Sequence, residues 1–201
     1  MKRILVSLLL ATAAGAVQAQ QPSGQPLMLV ASPELQGLYS RTTLIVLPAG
    51  DKHIGFILNR ATEVRLATLF PEHAPSAKVV DPVYFGGPQM VDALFAVVRR
   101  NPGSNAWPLF GGLYLAASAE AVDRVIEQAP AEARFFAGFV GWQPGELAGE
   151  IEAGYWYVTD ADSALFFRRD TSGLWEELVE RLGNGRAPQR GRGLQSASLR
   201  R

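Results

Sequence analysis

Phe85-Gly86-Gly87-Pro88 places two glycines side by side after an apolar stretch. Paired glycines reach left-handed conformations, and their amides can converge on an anion. The same dipeptide also serves as a tight turn between strands. Phe139-Val140-Gly141-Trp142-Gln143-Pro144-Gly145-Glu146-Leu147 reads as a strand, a short connection and a helix start. Free amides at a helix start attract anions. Pro144 lacks an N–H, however, and Glu146 already brings a negative charge to the first turn. Trp142 then reads as a packing residue over that helix start. Asn59-Arg60 ends a strand, where Asn suits a left-handed turn and Arg offers a fork for carboxylate or phosphate. An ion pair inside the protein accounts for Arg60 equally well. Asn59, Arg60, Gly86, Gly87, Trp142 and Gly145 are therefore the candidate ligand-binding residues.

Other chemistries find little support. There is no cysteine, so thiolate metal sites, cysteine nucleophiles and disulfides are excluded. His53 lies among apolar strand residues, and His73 sits in the loop Pro71-Glu72-His73-Ala74-Pro75. Neither accompanies a Gly-x-Ser-x-Gly nucleophile elbow. Glu150 and Glu152 are two apart on an expected helix and point away from each other. Asp160-Ala161-Asp162 lacks the glycine and glutamate of a calcium loop. No dinucleotide fingerprint or phosphate loop is present, so neither a cofactor nor a metal is expected.

The elements that must position these residues are mostly strands. Leu27 to Ala31, Thr43 to Leu47 and His53 to Leu58 are apolar runs, and the last two flank Pro48-Ala49-Gly50-Asp51, a hairpin turn. Runs apolar on both faces are covered on both faces. Further strands are expected at Val83 to Phe85, Ala93 to Val98, Gly112 to Ala116, Arg134 to Val140, Tyr155 to Val158 and Ala164 to Phe167. Four helices are expected. Thr62 caps one through Phe70, and Ser118 caps one through Ala129. Pro144 opens the third, which ends near Glu152. The fourth spans Ser172 to Leu182, with Leu174, Trp175, Leu178, Val179 and Leu182 as its apolar stripe and Gly183 as its stop. This irregular mixture is an α+β pattern.

The chain has 201 residues, 48% of them hydrophobic, enough for one domain with tails. Lys2-Arg3, the apolar run Ile4 to Ala14 and a small-residue exit at Ala19 form a secretory signal peptide over residues 1–19. Residues 20–25 form a flexible lead-in, residues 26–183 the domain, and residues 184–201 a disordered basic tail. Lys+Arg and Asp+Glu both number 19. Seven of the cations, Lys2, Arg3, Arg186, Arg190, Arg192, Arg200 and Arg201, lie in the two ends. That leaves 12 against 19, a body of −7, which is a poor binder of nucleic acid. The tail is expected either to stay solvated without a partner, to fold back on the acidic body, or to make weak contact with anionic membranes, and the expected location is the periplasm.

Four segments, with Leu29-Val30-Ala31-Ser32-Pro33 at the front, resemble the AlgH/YqgE family of bacterial proteins. They are residues 54–60, residues 83–88, residues 136–147 with Glu150-Ile151, and Leu174-Trp175 with Leu182-Gly183. The resemblance implies a bifurcated β-sheet closed into a flattened pseudo-barrel with about four outer helices. It implies no established enzymatic activity, and a suggested regulatory role. The export signal and Ala61, where the family usually has proline, are departures. The favoured reading is an exported, non-catalytic binding or regulatory module for a protein or small-molecule ligand. The alternative is a hydrolase-like enzyme with its site near the Asn59-Arg60 and Gly86-Gly87 loops.

Overall fold

Apolar runs broken by tight turns build one end of the sheet. In the computed structural model, which describes residues 24–103 and 105–183, Leu27–Ala31 (β1), Thr43–Ala49 (β2) and Lys52–Ile57 (β3) pair antiparallel in sequence order. Ile45 lies opposite Met28 on one side and Phe56 on the other. Left-handed Gly50 (φ 68°) turns β2 into β3. The remaining strands are Tyr84–Phe85 (β4), Gln89–Val98 (β5), Ala106–Pro108 (β6), Tyr114–Ala116 (β7), Ala133–Trp142 (β8) and Trp156–Asp160 (β9). They join one curled sheet in the order β6-β7-β5-β8-β3-β2-β1-β9, with β4 added parallel to β8. The helices are Leu66–Leu69 (α1), Ala119–Gln128 (α2), Glu146–Glu152 (α3) and Leu174–Gly183 (α4). The export signal (1–19) and basic tail (184–201) expected from sequence lie outside the described residues, as does most of the lead-in.

β8 is where the sheet forks. Its first half pairs with β5 and its last three residues pair with β3. Gly138, left-handed at φ 69°, interrupts its alternation. Before the bulge Phe136 faces the core enclosed by the curl, while after it Phe139 does. Val140 and Trp142 thereby turn to the outside. Three cores result. The enclosed one holds Met28, Ile45, Phe56, Phe95 and Phe136, and α4 adds Leu174 and Leu178. A second, outside one wing, packs Val122, Val125 and Ile126 of α2 on Ala96, Val98 and Phe135. A third, outside the other wing, packs Leu147 of α3 with Trp142 and Trp156 on Leu29, Leu44 and Ile57. Strands apolar on both faces are thus covered on both faces.

Arg134 enters this apolar interior. Its Cζ stacks 4.3 Å from the Tyr84 ring centre, and Nη2 donates to the Arg168 carbonyl at 2.8 Å. Burial pushes its pKa down.

Several expectations need correction. Ala164 to Phe167 is not a strand but part of a 3-10 turn, Ser163–Phe167. Asp162 caps it by accepting from the Ala164 amide at 2.9 Å, and Phe166 plugs the enclosed core. A short apolar run fits either conformation, and the cap decides between them. Thr62 does not cap α1. Its hydroxyl donates to the Val83 carbonyl at 2.6 Å, tying the loop to β4, and the helix begins only at Leu66. Pro144 stands two residues before α3, because left-handed Gly145 (φ 82°) makes the entry turn. Gly183 is the last residue of α4 rather than a stop beyond it. β6 had no signal, since Trp107-Pro108 does not read as a strand.

Candidate functional site

The six candidate residues fall in adjoining places, but the structure uses most of them as scaffold. Gly86 and Gly87 are buried against the β8 bulge. A Cβ on Gly86 would lie 2.2 Å from the Gly138 carbonyl oxygen, and one on Gly87 2.2 Å from the Phe139 carbonyl carbon. A Cβ on Gly138 would lie 2.3 Å from the Gly87 oxygen. The glycines exist because two backbones cross with no room for side chains. The Gly86 amide is spent on the Ala137 carbonyl at 2.9 Å, and its own carbonyl accepts from Ile57 N–H at 3.0 Å.

Asn59 is a staple. Its Oδ1 accepts from the Thr43 amide at 2.9 Å and its Nδ2 donates to the Arg41 carbonyl at 2.9 Å. This holds the left-handed corner at Arg41 (φ 56°). Arg60 is half-buried and donates through Nη2 to the Ser40 carbonyl at 3.3 Å. Burial lowers its pKa, and the neighbouring Tyr39 hydroxyl opposes that. Burial in turn raises the Tyr39 pKa above 10.0, with Glu150 and Glu146 adding and Arg60 opposing.

Trp142 packs over Gly55, where a Cβ would come within 2.9 Å of the indole. Its Nε1–H donates to Glu150 Oε2 at 2.9 Å, and Trp156 Nε1–H donates to the same oxygen at 2.7 Å. Tyr39 meets the Trp156 ring edge-on, with centroids 6.0 Å apart. The role of Glu150 as the shared acceptor of two indoles is what sequence reasoning missed. Glu150 lies eight positions beyond Trp142, a separation that only the strand–helix closure makes short. Gly145 is exposed, and the adjacent turn is closed by Glu146, whose Oε2 accepts from the Gln143 amide at 2.9 Å. The entry to α3 therefore supplies its own anion.

A separate cleft of about 570 Å³ opens on the other wing, between α2 and β5. Phe70, Leu94, Val122 and Ile126 are among its apolar walls, and Asp92, Glu120 and Asp123 are the carboxylates that line it. β5 forms one lip by a bulge. Gln89 pairs with Phe139 and Leu94 with Ala137, so five steps on β5 match two on β8. Met90 adopts φ 51° within that bulge, and Met90, Val91 and Asp92 stand exposed. Glu120 pairs with Arg124 at 2.7 Å. His73 Nε2 is 3.6 Å from Asp123, and its Nδ1 lies 2.8 Å from the Ser76 hydroxyl. The set has the composition of a nucleophilic triad. Ser76, however, is 0% exposed, so no substrate can reach its oxygen. Among the described residues no group of three or more His, Asp or Glu is placed to hold a metal.

The comparisons with known proteins follow the fold. A sequence profile described as AlgH-like matches residues 28–187. The UPF0301 protein of Chlorobaculum parvum is 30% identical over 162 residues, covering 78% of this chain and 85% of that protein. That of Parabacteroides distasonis is 30% identical over 166 residues, covering 78% and 82%. A Corynebacterium diphtheriae crystal structure superposes with TM-score 0.65 at 22% identity, over 80% of this chain and 88% of that one. The solution structure of the AlgH protein from Pseudomonas aeruginosa gives TM-score 0.64 at 22% identity, over 84% and 94%. With its forked, curled sheet, its four helices and a profile match across the domain, the chain belongs to the AlgH-like family.

Proposed function

We propose that the protein is an exported, non-catalytic binding module. One observation carries the non-catalytic part: central polar groups of the motif segments are bonded to the protein itself. Asn59 uses both ends of its amide on backbone, the Gly86 amide is taken, and one Glu150 oxygen receives two indoles. The hydrolase alternative needs a free acid or base beside the Asn59-Arg60 and Gly86-Gly87 loops. Beside those loops stand Arg60, a weak acid even when burial lowers its pKa, Tyr39, whose hydroxyl burial holds in its protonated form, and Glu150, whose Oε2 is occupied by two indoles. Export rests on the Lys2-Arg3 start, the apolar run and Ala19.

A metabolite panel tests the binding reading. The mature protein is screened by thermal shift, and each stabilising compound is then incubated with it and followed by NMR. A ligand that raises the melting temperature and is recovered unchanged supports the module. Consumption of that ligand overturns it. Export is tested by cell fractionation with an N-terminal mass; intact Met1 on cytoplasmic protein contradicts it.

A further inference from the structure

The cleft between α2 and the β5 bulge has the size and mixed lining of a small-molecule site. We propose that it binds a small organic cation with an apolar body, such as an arylalkyl amine; this identifies the ligand class of the binding module proposed above and rests on that reading.

The floor sets the apolar half. Phe70, Leu94, Val122 and Ile126 face the cleft, and Phe70 is exposed although it is a large aromatic. An apolar body covers that surface and removes it from water. The rim sets the charge. Asp92, Glu120 and Asp123 line the cleft, and the residues lining it include no lysine or arginine. Arg124 neutralises Glu120 from outside the lining, and among the described residues Asp123 pairs with His73. Asp92 makes no ion pair among the described residues. Asp92 and Asp123 therefore leave negative potential at the mouth, and the acidic body reinforces it. An anion is repelled there, a neutral compound gains only the floor, and a cation gains both.

The bulge explains how the charge reaches the cleft. In a regular ladder residues 90–93 would continue the pairing with β8. The extra residues, with Met90 in a left-handed conformation costly for a non-glycine, push Asp92 to the lip while Leu94 returns to the wall.

The test is a titration of the mature protein with 2-phenylethylamine, 2-phenylethanol and 3-phenylpropionate, followed by amide NMR shifts. The amine should saturate at millimolar concentrations, with shifts confined to residues 70–73, 92–94 and 117–126. It should bind about fivefold more tightly than the alcohol, the ratio given by about 1 kcal/mol of partly exposed ion pairing. The carboxylate should bind most weakly. Asp92→Asn, at an exposed position, should bring the amine to within about twofold of the alcohol. Equal affinity for amine and alcohol, shifts elsewhere, or no saturation at millimolar concentrations would overturn the proposal. Recovery of the amine is checked separately: its chemical conversion would sink the non-catalytic reading and leave the site standing.

Discussion

Removing the carboxylate of Glu150 should destabilise the α3 wing. Trp142 and Trp156 are 3% and 2% exposed, and both indole N–H groups end on Glu150 Oε2. Glu150→Ala leaves two donors without an acceptor. A buried donor so orphaned costs about 1–3 kcal/mol. Glu150 is itself only half-buried, so water can enter from its side and the lower part of that range applies to each donor. The total is about 2–4 kcal/mol. Glu150→Gln keeps an acceptor oxygen and loses only charge assistance, about 1 kcal/mol. Urea denaturation followed by far-UV circular dichroism reads both. With a slope near ~2 kcal/mol/M the Ala variant should lose about 1–2 M of midpoint and the Gln variant about half a molar. Unchanged or increased stability of Glu150→Ala would refute the reasoning. It would mark instead a carboxylate held at a cost for function.

Three further outcomes follow from other parts of the fold. Leu178 is 1% exposed and seats α4 in the enclosed core, so Leu178→Ala should cost about 2–5 kcal/mol in the same assay; a loss near zero would detach the helix. Asn59→Ala removes two bonds that hold the Arg41 corner and should cost about 1–3 kcal/mol, with exchange of the Thr43 amide accelerated in hydrogen–deuterium measurements. Burial lowers the His53 pKa below 6.5, so between the folded value and 6.5 the unfolded chain binds more protons. Its stability contribution is present above 6.5 and is lost as pH falls through the folded pKa; His53→Gln should flatten that slope, and an NMR titration midpoint at or above 6.5 would contradict it.

β1, β2, β3 and β8 were legible because their apolar runs are bounded by turn residues and need cover on both faces. The Ser118 cap was legible for a local reason too: its hydroxyl accepts from the Ala121 amide three residues on. Ser163–Phe167 was not, because Leu-Phe-Phe alone does not separate strand from turn. At Gly86 and Gly87 the sequence marked the right residues with the wrong reason. Two glycines suggest a turn or a nest, whereas the cause is Gly138, half a hundred positions away and visible only once β8 lies alongside. Trp142 read correctly as packing, but its acceptor Glu150 did not, since the bond closes only through the turn into α3. The cleft was illegible as a whole. Its lining comes from positions 70, 73, 92–94, 117, 119, 120, 122, 123 and 126, and no short motif joins them.

Unfolding of Gly86→Ala tests most directly the claim that the family-like motif is architecture. The added Cβ would stand 2.2 Å from the Gly138 carbonyl oxygen and 3.1 Å from the Phe136 Cβ, and the nearest obstacle is backbone that cannot rotate aside. The expected result is a loss of about 3 kcal/mol or more, at the upper end of overpacking penalties, or failure to fold. A variant as stable as the parent, with ligand binding lost instead, would contradict the account and return the Gly86-Gly87 loop to the role of a binding site.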